Sequence, residues 1–179
     1  PIVDTDHRTI RTKIPVPESL SLLEEIKLYE SSNALEQLPV VWGHAKNHQI
    51  FDEWGNVWID FTSSIFVTNS GHANDETLAR INECIAKPLL HSYYYPTRIR
   101  AQFLKKLIEM TPDYLEKAII LSVGTEATER AVKISRIYGE SIAKGKSIIV
   151  GGDGNYHGKT LGAQMVGGQH NDKGWIGYI

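Results

Sequence analysis

Apolar positions change their period along the chain, and each change predicts an element. From Glu18 to Ser31, Leu20, Leu23, Ile26 and Leu28 stand among charged residues, which predicts a short surface helix. Pro39 opens a different texture. The run Val40-Val41-Trp42, then Gln49-Ile50-Phe51, then Val57-Trp58-Ile59-Asp60-Phe61 reads as β structure, with Asp52-Glu53-Trp54-Gly55-Asn56 as the turn of a hairpin or meander. After a bend at Ser63-Ser64, helical spacing takes over. Asn74 is placed to cap a helix carrying Leu78, Ile81 and Ile85, ended by Pro88. Thr97 is placed to cap a second, with Phe103, Leu104, Leu107 and Ile108 on its buried side, ended near Pro112.

The last third alternates. Lys117 to Leu121 predicts a short strand. Thr125 to about Lys144 predicts a long helix with Ala127, Ala131, Ile134, Tyr138 and Ile142 on one face, and Ser147 to Val150 predicts a second strand. Apolar strands on either side of a helix form a βαβ unit, whose parallel strands are buried on both faces. A sheet of so few parallel strands leaves apolar edges uncovered, so further sequence is expected to complete it. The fold class expected is α/β.

Composition narrows the function without naming it. Of 179 residues, 41% are hydrophobic and 22% charged, which is ordinary for a folded globular protein. A net charge of −2 gives no field to attract nucleic acid or an anionic membrane. No apolar run approaches the length of a bilayer span, and PIVDTDHRTIRTK carries no signal-peptide core. One cysteine, Cys84, excludes an internal disulfide and suits a reducing, cytoplasmic setting.

Three constellations carry candidate chemistry. Ser122-Val123-Gly124-Thr125-Glu126-Ala127 lies where the first predicted parallel strand meets its helix. Amides at a helix start lack internal partners and carry partial positive charge, so a phosphate is stabilised there. Gly124 allows close approach and Thr125 adds a hydroxyl, although a plain tight turn capped by Thr125 explains the same residues. Asp153-Gly154-Asn155-Tyr156-His157-Gly158-Lys159-Thr160 follows the next strand and emerges at the same sheet edge, where open α/β sheets bind ligands. Tyr156 offers a flat ring and His157 a titratable one, although a packing aromatic beside a surface histidine is the plainer reading. In the third run, Asp60 to His72, Ser63-Ser64 interrupts the apolar residues Phe61, Ile65, Phe66 and Val67, as either a ligand entrance or a serine bend at a sheet edge.

In this order the three runs resemble the class III aminotransferases that depend on pyridoxal 5'-phosphate (PLP), the group of ornithine, 4-aminobutyrate and acetylornithine aminotransferases. The resemblance rests on Gly55, Val57-Trp58-Ile59-Asp60-Phe61, Ile65 and Asn69-Ser70-Gly71-His72, then His91, then Val123-Gly124-Thr125-Glu126-Ala127 with Lys133 and Arg136, and last Tyr156-His157-Gly158-Lys159-Thr160. It covers roughly Pro39 to Gly162. It implies a fold-type-I PLP transferase, with residues 1–70 as an N-terminal segment contributing to a small domain. Residues 71–179 would then be the first part of a large domain built on a parallel-rich sheet. Gly124 and Thr125 would hold the cofactor phosphate, and Tyr156 would stack on its ring with His157 beside it. Ser64, Ile65 and Phe66 would line the substrate entrance, largely across a homodimer interface. The substrates implied are an amino donor, either an amine or an ω-amino acid, and a 2-oxo acid acceptor. Two positions depart from the pattern. Val123 stands where the family often has a phosphate-binding serine, and Asn74-Asp75 where it usually has His-Pro. No lysine here has the setting of the Schiff-base lysine, which the resemblance puts further along, so this chain by itself is expected to be inactive. No metal site is assigned.

Other readings share parts of the pattern. An aminomutase or a decarboxylase of the same fold would carry every one of these motifs. Asp153 to Thr160 nearly spells the P-loop G-x-x-x-x-G-K-[ST], but Asp153 replaces the first glycine and would repel the phosphates such a loop cradles. A non-catalytic fragment kept for binding or dimerisation is a further alternative.

Overall fold

Among the described residues, five short strands form one antiparallel sheet in the order β1-β2-β5-β4-β3. They are β1 (Val3–Asp4), β2 (Thr9–Ile10), β3 (His44–Lys46), β4 (Gln49–Phe51) and β5 (Val57–Ile59). The computed structural model describes residues 3–31, 38–87, 89, 91–92, 94–168 and 173–176. The chain divides into two compact units, Pro1–Tyr94 and Tyr95–Ile179, and the sheet belongs to the first.

The β4–β5 hairpin matches the sequence expectation, with Ile50 opposite Trp58 and Phe51 opposite Val57. Polar side chains lock its turn. The Asp52 carboxylate accepts from the N–H of Trp54 at 2.9 Å and of Asn56 at 2.7 Å. The Asn56 amide, fully buried, donates to Asp52 and to the Thr12 hydroxyl. Its oxygen accepts the N–H groups of Arg11 and Thr12. One side chain thereby ties the hairpin turn to the strand exit of β2. Ile10, Val16 and Ile50 are the buried apolar residues of this small core.

Val40-Val41-Trp42, expected as a strand, is not one. The strand that pairs with β4 is β3, which starts at His44, because Asn47-His48 makes a two-residue hairpin loop with Lys46 opposite Gln49. The loop fixes the register, and Asn47 takes the left-handed φ of +53° that such a turn requires. The β1–β2 pair had no signal in the apolar spacing.

The helices follow the sequence closely. α1 is Leu20–Tyr29. α2, Ser63–Phe66, is a single turn of the left-handed kind, treated below. α3, Asp75–Ile85, is capped by Asn74, whose side chain accepts from the Thr77 N–H at 3.0 Å. The stop assigned to Pro88 lies outside the described residues. α4, Arg98–Glu109, is capped by Thr97 through the Arg100 N–H. α5 is Gly124–Ile142, and the short α6, Leu161–Val166, follows the second candidate run.

The two expected parallel strands differ from the reading. Among the described residues, neither 117–121 nor 147–150 has a ladder partner, so they are not strands of a common pair. A strand is defined by its neighbour, and these segments do not neighbour each other in a ladder. Ile148 and Val150 are 89% and 92% exposed, an apolar surface that a covered parallel strand would bury.

Candidate functional site

α5 begins one residue earlier than the spacing suggested. Val123 is its N-cap, so Gly124, Thr125 and Glu126 are the first three helical positions, and Thr125 is not the cap. The first backbone bond of the helix runs from the Ala127 N–H to the Val123 carbonyl. The N–H groups of Gly124, Thr125 and Glu126 therefore have no acceptor within the helix, and the Val123 side chain supplies none. A Cβ built on Gly124 would meet nothing within 4 Å, so the space beside Gly124 is open. Glu126 turns back to accept the Ser122 N–H at 2.9 Å, one residue before the N-cap. The donor set suits an oxyanion such as a phosphate ester.

The run from Gly151 to Thr160 packs directly on this helix start. Gly158 has φ +122°, and a Cβ there would lie 2.5 Å from the Thr125 Cβ and 3.0 Å from its Cα, so only hydrogen fits. The Thr125 and Thr160 hydroxyls are 2.8 Å apart. Thr160 donates to Glu129 Oε1 at 2.6 Å, and the same oxygen accepts the Gly162 N–H at 2.8 Å and the Ala163 N–H at 3.3 Å. Glu129, one turn beyond Thr125, thus caps α6 from another helix, which Thr160 as formal N-cap does not do. The Thr160 hydrogen bond, reinforced by the two amides and opposed by burial, holds the Glu129 carboxyl below the ordinary carboxylate range. Tyr156, in the same loop, is 62% exposed, and His157 is half-buried.

The third constellation lies in the first unit. Ser63, Ser64, Ile65 and Phe66 all have positive φ, from 49° to 69°, with left-handed ψ values at Ser64 and Ile65. Each such residue costs about 1–2 kcal/mol for an L-amino acid. Asp60 organises the turn. Its carboxylate accepts from the Thr62 N–H and hydroxyl, the Ser64 N–H at 2.8 Å, and His72 Nε2 at 2.8 Å. The Asp60 side chain is only 4% exposed. Burial pushes its carboxyl up, but these hydrogen bonds outweigh that and hold it well below the carboxylate range. An ionised carboxylate only accepts, so Nε2 of His72 carries the hydrogen. The result presents Ile65 and Phe66 outward, 76% and 83% exposed. What the sequence offered as a serine bend is a strained, braced turn.

Sequence reasoning picked out Gly124, Thr125, Tyr156, His157, Ser64, Ile65 and Phe66. The structure brings the Gly124-Thr125 pair together with the loop that carries Tyr156 and His157. Ser64, Ile65 and Phe66 share the turn of the first unit. Glu129 and the Asp60–His72 pair were missed. The Thr125-x-x-x-Glu129 spacing, which puts both side chains on one face of a helix, was the available signal for Glu129.

A family model described as Aminotransferase class-III matches residues 30–175. The chain is 31% identical over 145 residues to the ornithine aminotransferase of Saccharomyces cerevisiae, covering 79% of this chain and 34% of that protein. It is 30% identical over 124 residues to the putrescine aminotransferase of Pectobacterium atrosepticum, covering 69% and 26%. Among solved structures, the adenosylmethionine-8-amino-7-oxononanoate aminotransferase of Methanocaldococcus jannaschii superposes with a TM-score of 0.76 at 26% identity, over 87% of this chain and 38% of that one. The ornithine aminotransferase of Toxoplasma gondii ME49 has the same fold, with a TM-score of 0.76 at 19% identity, over 87% and 37%. The chain therefore spans between a quarter and about two-fifths of the length of these proteins.

Proposed function

This chain belongs to the class-III aminotransferase family and has the α/β fold of the fold-type-I PLP aminotransferases as a partial domain; on that premise we propose that the whole protein is a PLP-dependent aminotransferase. Its reaction moves an amino group between an amine or ω-amino acid and a 2-oxo acid. The observation that carries the reading is the start of α5, where three amides lack helical acceptors and the space beside Gly124 is open, next to the loop of Tyr156 and His157.

The residues fit a phosphorylated cofactor. Gly124 and Thr125 hold the phosphate through their N–H groups, and the helix dipole adds to the attraction. The loss of a serine hydroxyl at Val123 leaves this backbone cradle intact. Tyr156 is exposed enough to stack on a pyridine ring, with His157 beside it. When bound, PLP supplies an electron sink for the bonds around the amino carbon. No residue of this chain is assigned as the lysine that bonds to it.

Ser64, Ile65 and Phe66 form the substrate entrance and meet the second subunit of a homodimer. Their outward apolar side chains, held by a turn that costs backbone energy, support that role. Residues 1–70 contribute to the small domain and 71–179 begin the large one. Among the described residues no helix is long and apolar enough to cross a membrane, and a cytoplasmic setting is the one we propose.

The test is Gly124→Glu in the full-length protein. A carboxylate at this position would face the phosphate at short range, and PLP should be lost on dialysis. Visible cofactor absorbance equal to wild type after dialysis would refute the assignment.

A further inference from the structure

The hydrogen-bond chain from Thr125 through Thr160 to Glu129 has only one consistent direction. A carboxylate can only accept, so the Thr160 hydroxyl spends its single proton on Glu129 Oε1 at 2.6 Å. The contact between the two threonine oxygens, 2.8 Å long, must then be donated by Thr125. Thr125 is left with lone pairs only and has no hydroxyl proton to offer an anion at the helix amides. The same Glu129 oxygen accepts the N–H groups of Gly162 and Ala163, so it holds both ends of the junction between the loop and α6. The packing is close on this path: a Cβ at Gly158 would collide with Thr125, and one at Gly162 would lie 2.9 Å from the Glu129 carboxyl carbon.

We propose that Glu129 is the positioning residue of the cofactor site, clasping the loop of Tyr156 and His157 to the start of α5 and committing the Thr125 hydroxyl proton away from the phosphate. The inference rests on the PLP reading above and deepens it. Thr125 serves the phosphate through its N–H, and its hydroxyl serves the loop. The lowered carboxyl of Glu129 agrees with this direction, since a charged acceptor is what fixes it.

The experiment compares dissociation constants for PLP and for pyridoxal, which lacks the phosphate, in the full-length apoprotein. Their ratio isolates the phosphate contribution. Thr125→Val removes the hydroxyl and should leave the ratio within about twofold of wild type. If the hydroxyl donated to a charged phosphate, its removal would raise the ratio of the PLP constant to the pyridoxal constant by about tenfold or more, and that result overturns the proposal. Glu129→Ala should weaken PLP and pyridoxal alike by about tenfold, the equivalent of one charge-assisted hydrogen bond, with an altered circular dichroism of the bound cofactor band. Glu129→Gln keeps the side-chain volume, should fold if Glu129→Ala does not, and should shift both constants in the same direction by less. Affinities and cofactor dichroism equal to wild type in a folded Glu129 variant overturn the positioning role, as does a lowered melting temperature as the only change. A wild-type protein that binds PLP no better than pyridoxal would instead refute the cofactor reading itself.

Discussion

Replacing Gly158 by alanine puts a measurable load on one contact, and Gly154→Ala supplies its control. Both glycines have positive φ: +74° at Gly154 is close to the left-handed region, where an alanine costs about 1–2 kcal/mol, and +122° at Gly158 lies beyond it, where an alanine costs at least as much. Only one meets an obstacle. Nothing lies within 4 Å of a Cβ at Gly154, whereas the Gly158 Cβ would be 2.5 Å from the Thr125 Cβ and 3.0 Å from its Cα. Rotating the Thr125 side chain moves neither atom, so the loop must lift. Carbon atoms rest at about 3.5–4.0 Å, so the lift is roughly 1 Å, enough to stretch the 2.8 Å bond between Thr125 and Thr160 beyond hydrogen-bond range. Overpacking of this kind adds about 1–3 kcal/mol. Gly158→Ala should therefore destabilise by about 2–5 kcal/mol, against about 1–2 kcal/mol for Gly154→Ala. Denaturant unfolding of the full-length apoproteins measures the difference, and PLP titration should show weaker binding for Gly158→Ala alone. Two variants within about 0.5 kcal/mol of each other, both binding PLP as wild type does, would show that the loop does not rest on Thr125.

Other expectations follow from the first unit. Asn56→Ala removes a fully buried amide that satisfies Arg11, Thr12 and Asp52, and should cost about 2–4 kcal/mol by denaturant unfolding, whereas a loss below about 0.5 kcal/mol would contradict the network. Because the folded carboxyl of Asp60 is held well below its unfolded value of about 3.9, its contribution is full above that pH and is lost as the pH falls towards the folded value. Stability measured against pH should thus decline below about pH 4, with a shallower slope in Asp60→Asn, and parallel curves for the two proteins would refute the assignment. Ile65→Asp places a charge on the exposed apolar turn and should abolish the proposed dimer and turnover together; a stable dimer by analytical ultracentrifugation with normal activity would remove Ile65 from both roles.

What was legible in the sequence was local. Asn74 and Thr97 announce their helices because a capping oxygen acts on amides three residues away, and the spacing of Leu78, Ile81 and Ile85 needs nothing beyond the helix itself. The Gly124-Thr125 and Tyr156-His157 runs stood out as candidates for a similar reason, since each is a short segment with its own chemistry. What could not be read depends on distant partners. Nothing in Ser63-Ser64-Ile65-Phe66 asks for four left-handed residues in a row; Asp60 and His72 impose them from either side. The segments 117–121 and 147–150 have the composition of buried strands, yet composition does not supply a neighbour, and among the described residues they have none.

Placing Glu129 also decides between two readings that the sequence left open. The run Asp153 to Thr160 differs from a P-loop by one residue, and both motifs put a threonine and a glycine-rich turn before a helix. In a P-loop the amides at the start of the following helix cradle phosphates, and the hydroxyl faces a magnesium ion. Here both resources are already taken. The second and third amides of α6 donate to a carboxylate, and the Thr160 hydroxyl donates to the same oxygen. A phosphate brought to this helix would meet the negative charge of Glu129 in place of open donors. The open donors lie at the start of α5 instead, with Gly158 resting on Thr125 and Gly162 on Glu129. The two glycines stand four positions apart, as do the two side chains they touch, so the glycine spacing of the run matches one turn of the helix it packs against. The glycines serve the docking of the loop, and the proposed anion site beside them belongs to the other helix.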